Sequence, residues 1–268
     1  MFQKEITGDI LTMTFSDQGK EIFELIDLSC EQNKECSKLD LVCQENTSTT
    51  IVFLHSILKE KSSLTTKVTV QKNAALKVID LILPGGDSAK AGFFHSFDQE
   101  IILAGKNSRA KASTIFIANQ EQTININSII KHQSDNSSGE LFCRGVLFNA
   151  ANADFTATLV VPPGIKNIET HQNMKCLTQG EKARCCALPI LDIHSDSVIA
   201  SHGVAIARVE DELSYYIEYR GIEKEKNKIL LLIGFLNESL FNLKLVSQSN
   251  FQQVQSMIKK QLGVKSDE

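Results

Sequence analysis

The segment from Ser195 to Ala205 reads Ser-Asp-Ser-Val-Ile-Ala-Ser-His-Gly-Val-Ala, and its histidine is the side chain best placed for chemistry. As a strand, it puts Val198, Ala200 and His202 on one face and Ser201 on the other. Gly203 leaves backbone room for a neighbouring chain or a bulky group. A neutral imidazole is a competent ligand for iron or zinc. The alternative is a hydrogen-bonded interior histidine that closes the last strand, and residue types alone favour that second reading. Ser201-His202 is a poor nucleophile and base pair, because strand neighbours face opposite ways and no Gly-x-Ser-x-Gly elbow is present. His55, His95, His132, His171 and His194 form no His-x-x-x-His or His-Glu-x-x-His pattern. His171-Gln172 reads as a turn.

The seven cysteines define no metal site by spacing. Cys30, Cys36 and Cys43 lack zinc-ligand spacing. Cys185 and Cys186 are adjacent and would point to opposite faces of a strand. Free, mostly buried thiols are the plain expectation for the set. No Gly-x-x-x-x-Gly-Lys-[Ser/Thr] loop and no Gly-x-Gly-x-x-Gly turn is present, so the chain itself is expected to bind no nucleotide. Any energy input must come from a partner.

These residues sit in a chain of 268, with 42% hydrophobic and 22% charged residues, as in ordinary globular proteins. A net charge of −4 without a basic block excludes an electrostatic footprint for nucleic acid or an anionic membrane. The first residues lack an apolar export core, and the aliphatic run Ile229–Ile233 is too short to span a bilayer. The expectation is a cytoplasmic protein.

The positioning elements are mostly strands. Apolar runs at Ile51–Leu54, Val68–Val70, Leu76–Leu83, Ile101–Leu103, Thr114–Ala118, Ile124–Ile130, Leu141–Phe148, Phe155–Val161 and Leu188–Ile193 alternate with turn residues such as Gly105-Lys106-Asn107 and Pro162-Pro163-Gly164. That pattern predicts a sandwich, a barrel or a solenoid, and no strict repeat selects among them. From Glu210 the period becomes helical. Leu213, Tyr216, Ile217 and Arg220 lead to a helix end at Gly221; a second stripe runs Ile229, Ile233, Leu236, Leu240; a third runs Phe251, Val254, Ile258, Leu262. Three regions are expected: a short N-terminal segment of strands and loop over 1–49, a β core over 50–209, and a helical subdomain over 210–268.

Residues 188–236 carry a resemblance. Leu-Asp-Ile-His-Ser-Asp-Ser-Val-Ile-Ala-Ser-His-Gly-Val-Ala, then Tyr-Tyr-Ile-Glu-Tyr-Arg-Gly-Ile and Leu-Leu-Leu-Ile-Gly-Phe-Leu, is similar to the C-terminal core of the SufB/SufD family of iron–sulfur cluster assembly scaffolds. The D-type pattern fits better than the B-type, which carries Glu-His-Glu where this chain has Ser201-His202-Gly203. Ala200 stands where the family usually has cysteine. The resemblance extends upstream through Leu141–Gly164 and Thr170–Ile193.

It implies a mainly β protein, with a right-handed parallel β-helix core and a small C-terminal helical subdomain. It implies a non-catalytic scaffold that pairs with a SufB-like subunit, or with itself, and carries an iron–sulfur cluster transiently at that interface. His202 is the implied ligand, with Cys185 or Cys186 one coil away as substitutes for the thiol missing at Ala200. It also implies a SufC-like ABC ATPase docked on the C-terminal helices, through Tyr215, Glu218, Tyr219, Arg220, Gly221, Phe235, Asn237 and Glu238. Simple packing of Phe235 and the tyrosines onto the core is the plainer reading for those aromatics. The rivals are a β-helix enzyme acting on glycans, for which Asp80, Asp87 and Asp98 are too scattered, and a metal-free structural or assembly protein.

Overall fold

The computed structural model describes residues 2–7, 9–16, 21–28, 37–57, 61–84, 93–208 and 224–262. Among them the chain forms fifteen strands: β1 (Phe2–Thr7), β2 (Ile10–Phe15), β3 (Glu21–Asp27), β4 (Lys38–Cys43), β5 (Ser48–Ile57), β6 (Lys61–Val70), β7 (Ala75–Pro84), β8 (Phe94–Leu103), β9 (Arg109–Ala118), β10 (Thr123–His132), β11 (Ser138–Phe148), β12 (Asn152–Val161), β13 (Ile168–Gln179), β14 (Arg184–Ile193) and β15 (Val198–Arg208). Two helices follow, α1 (Lys224–Val246) and α2 (Gln248–Gln261).

Successive strands fall alternately into two sheets. One has the order β1-β2-β4-β6-β8-β10-β12-β14, the other β15-β13-β11-β9-β7-β5-β3. β1 pairs antiparallel with β2. The remaining pairs are parallel, as in β10 with β12 and β11 with β13. The result is a parallel β-solenoid of about six turns followed by two helices. Residues 1–49 supply β1 to β4 and the start of β5, in register with the two sheets.

The two sheets differ on their outer faces, and the sequence pattern follows that difference. β8 and β10 alternate buried and half-buried residues along their whole length. Only their inner face is covered, so only every second residue is apolar. β9 is buried at nearly every position from Ala112 onward. Its outward Ile115 and Ile117, with Val52, Leu54, Ile79, Leu81, Leu83 and Val146, form a second core under the helices. Leu232, Leu236 and Leu240 of α1 and Phe251, Val254 and Ile258 of α2 complete it. The expected stripe of α2 is thus the face by which it docks, whereas α1 docks through Leu232, Leu236 and Leu240, of which Leu236 and Leu240 belong to the expected stripe and Ile229 and Ile233 do not join this core. The helix expected before Gly221 lies outside the described residues.

Inside the solenoid, Phe15, Phe53, Phe97 and Phe116 are fully buried. Phe116 and Phe155 meet edge to face at 5.8 Å. Gly145 is required by this packing: a Cβ there would stand 1.9 Å from the Phe116 ring. A buried polar cluster interrupts the apolar interior around Asp80. Asp80, fully buried, accepts hydrogen bonds from His55 Nε2 at 2.9 Å and from Gln99 Nε2 at 2.8 Å, which meets the need of a buried carboxylate for donors.

The coils turn at one corner through a column of left-handed asparagines. Asn46, Asn73, Asn107, Asn136 and Asn167 have φ between 55° and 61°. Each side-chain amide donates to the side-chain carbonyl one coil below: Asn73 to Asn46, Asn107 to Asn73, Asn136 to Asn107, Asn167 to Asn136. Ser197 Oγ caps the column on Asn167. Asparagine suits this corner because its short amide tolerates positive φ. The coil lengths between rungs are 27, 34, 29 and 31 residues. That unevenness hides the repeat from a search for a fixed period.

Candidate functional site

The last coil, made by β13, β14 and β15, is where the solenoid stops. Among the described residues β14 and β15 are the terminal strands of their sheets, so each has a neighbour on one edge only. Register fixes what they present there. Gln172 pairs with His202, Met174 with Val204 and Cys176 with Ile206. Gln172, Met174 and Cys176 are buried inside. His202, Val204 and Ile206 therefore continue the inward column, and among the described residues no further coil covers them. His202 is exposed. Among the described residues its imidazole has no hydrogen-bond partner, which removes the reading of a satisfied interior histidine. On the next position, a Cβ at Gly203 would come within 3.1 Å of Asn173 Nδ2. Glycine there keeps the Asn173 amide in place.

The same end exposes large apolar side chains. Ile199 is 67% exposed, Leu188 53%, Ile206 45% and Val204 42%, with Leu191 and Ile190 close behind. An apolar end of this kind, with two open strand edges, has the character of a surface made to be covered. The sequence reading passed over these residues as ordinary strand core, since nothing in the period-two pattern says that no coil follows.

Cys185 and Cys186 do not join His202. Cys185 pairs with Ala153 and faces the interior, where it packs on the core, while Cys186 is exposed on the other face. Gln172, the residue beneath His202, donates across the interior to the carbonyl of Ile190. Cys185 lies five residues back along that strand, a separation on the order of 15 Å at strand rise. Among the described residues no group of three or more His, Cys, Asp or Glu side chains is arranged to hold a metal ion. Among the described residues His202 is therefore a lone donor.

His171, expected in a turn, lies inside β13. Its Nδ1 meets Ser201 Oγ at 2.7 Å and its Nε2 meets Glu169 at 3.3 Å, on the outer face. Ser201 thus turns away from His202.

On the helical side, Tyr215, Glu218, Tyr219, Arg220 and Gly221 lie outside the described residues. Phe235 is half-buried against the outer core, with the Arg144 guanidinium 5.9 Å over its ring. Arg144 is 2% exposed; it donates to the carbonyls of Cys143 and Asn173 and pairs with Glu238 at 3.4 Å. Lys175 reaches the other oxygen of Glu238 at 3.7 Å. Glu238 is thus shared between two cations yet more than half exposed. Leu230, also exposed on α1, was not singled out by the sequence. No helix among the described residues is long and apolar enough to cross a membrane.

The family model described as "SUF system FeS cluster assembly, SufBD core domain" matches residues 31–235, and the chain belongs to that family. Among its relatives is iron–sulfur cluster assembly protein SufD of Bacillus subtilis, 33% identical over 134 residues, 50% of this chain and 31% of that protein. SufD of Escherichia coli is 21% identical over 136 residues, 51% of this chain and 32% of that protein. SufB of Bacillus subtilis is 23% identical over 177 residues, 65% of this chain and 36% of that protein. Each match thus spans about a third of the relative's own length.

Proposed function

We propose that this chain is a non-catalytic scaffold subunit for iron–sulfur cluster assembly, and that it works by pairing through the open end of its solenoid. The observation that carries the reading is the exposed, unpartnered His202 on an uncovered apolar coil flanked by two free strand edges. The partner is a SufB-like subunit or a second copy. Iron and sulfide are the cargo, and His202 supplies one donor from this side of the interface. Ala200 supplies none, so the remaining donors come from across the interface. Burying an apolar end of this kind favours association without directional bonds, and the two strand edges supply register.

A SufC-like ABC ATPase supplies the energy and docks on the helical flank. Leu230 and Glu238 are described side chains of α1 open to such a partner. Phe235 acts there by packing α1 against Arg144.

The test is anaerobic recovery of the tagged chain from its own cells, with mass spectrometry and an iron and sulfide assay. Recovery of a SufB-like chain or a dimer, lost in Ile199→Asp, and of an ABC ATPase, lost in Leu230→Asp, supports the scaffold reading. In His202→Ala the partners stay but acid-labile sulfide falls at least 10-fold. Recovery of the chain alone, free of iron, sinks it.

A further inference from the structure

Beneath His202 lies a buried acceptor without a donor. Gln172 on β13 is the Cα partner of His202 on β15, and both side chains stand on the inward face. Paired strands run about 4.8 Å apart, so the amide and the imidazole are neighbours in one column. Gln172 is 2% exposed, and its Nε2 donates to the carbonyl of Ile190 at 3.2 Å. A carbonyl can only accept, which fixes the amide nitrogen on that side. Oε1, on the other side, is shut off from solvent and has no partner among the described residues. Buried polar atoms left alone are rare and call for a reason. The inward neighbours along the sheet offer Oε1 little else. Leu141 below and Met174 alongside carry no side-chain N–H or O–H. Thr170 donates its hydroxyl to the carbonyl of Gly139 at 3.1 Å. His202 is the neighbour above, with an imidazole that has no partner among the described residues.

We propose that Gln172 is a positioning residue for His202: its Oε1 accepts the N–H of imidazole Nδ1 and leaves Nε2 unprotonated at the exposed tip of the ring. An imidazole nitrogen ligates only through a free lone pair, and the hydrogen bond made by one ring nitrogen decides which of the two has it. An acceptor behind a ligating histidine also fixes the plane of its ring. Glutamine suits the position because one amide supplies both the donor for Ile190 and the acceptor for His202. A carboxylate would place a charge in the interior and lose the donor. The consequence for cluster assembly rests on the scaffold reading, whereas the tautomer belongs to the chain alone.

The chain, labelled with nitrogen-15 in its histidine rings, is examined free of iron by long-range proton–nitrogen correlation at about pH 8, where an ordinary imidazole is neutral. The His202 signals are identified by their loss in His202→Ala. Nδ1 is expected to show the shift of a protonated ring nitrogen and Nε2 that of an unprotonated one. In Gln172→Met, which keeps the side-chain length and removes the acceptor, the proton is expected on Nε2. A proton on Nε2 in the unaltered protein, or a pattern unmoved in Gln172→Met, overturns the assignment. Should Gln172→Met fail to fold, the unaltered protein decides. In cells, Gln172→Met is expected to keep the partners recovered with the unaltered chain while acid-labile sulfide falls about 10-fold. Sulfide unchanged despite a moved proton overturns the positioning role and leaves the scaffold reading intact. The expected tautomer in a chain that recovers neither partner nor iron bears out Gln172 and sinks the scaffold reading alone.

Discussion

At the scale of single residues, burial sets three outcomes. His95 and His132 sit in the interior, and desolvation lowers their pKa to about 3 and about 4. The unfolded chain takes up those protons near pH 6.5, and the folded chain only at the lower values. The neutral imidazoles therefore contribute stability that is complete above pH 6.5 and is lost as the pH falls toward 4. For His132 the loss is on the order of 3 kcal/mol. Urea midpoints measured from pH 7 to pH 4 should fall less steeply in His132→Leu than in the unaltered protein; equal slopes would contradict the assignment. Gly145→Ala forces a methyl into the buried Phe116 ring. It is expected to cost about 1–3 kcal/mol by overpacking, seen as a lower urea midpoint. His202→Ala removes an exposed side chain without a partner, so its thermal midpoint should stay within 1 °C or so of the unaltered protein's, since surface changes of that kind rarely exceed about 0.5 kcal/mol.

At the scale of elements, the asparagine column acts as a brace between coils. Asn107 sits mid-column, giving one amide bond to Asn73 and accepting one from Asn136. Asn107→Ala loses both bonds and meets the cost of left-handed backbone, together about 2 kcal/mol or more. Asn107→Gly loses the bonds but keeps the backbone, and should cost about half as much in the same urea titration. Equal costs would mean the backbone conformation plays no part. The strands were legible wherever one face alternates, as in Ile124-Asn125-Ile126-Asn127, whose isoleucines are indeed the buried pair. β13 was not read as a strand, because its inward face holds Thr170 and Gln172 where an apolar pattern was sought. Rungs of unequal length do not form a period, so the coils stayed hidden from the sequence pattern. The α2 stripe was legible because it lies against one continuous apolar sheet face.

At the scale of the whole molecule, the open end dominates. Ile199 and Leu188 are the most exposed of its large apolar residues. Leu188→Asp with Ile199→Asp is expected to abolish pairing in analytical ultracentrifugation while leaving the thermal midpoint of the separated chain unchanged. A persistent dimer would place the interface elsewhere.

The amino-acid order by itself determined that this chain is strand-rich with a helical C-terminal part, and that His202 shares a face with Val198 and Ala200. Those are local consequences of side-chain period and turn chemistry. Family membership was legible from residues 188–236 for the same reason, since the pattern is contiguous. Tertiary structure alone decided which coil lies uncovered, and hence that His202 is exposed. It also decided that Cys185 faces the interior, well apart from His202. Neighbours in a solenoid are set by coil length and register, and a change of one residue in either moves a side chain to the opposite face.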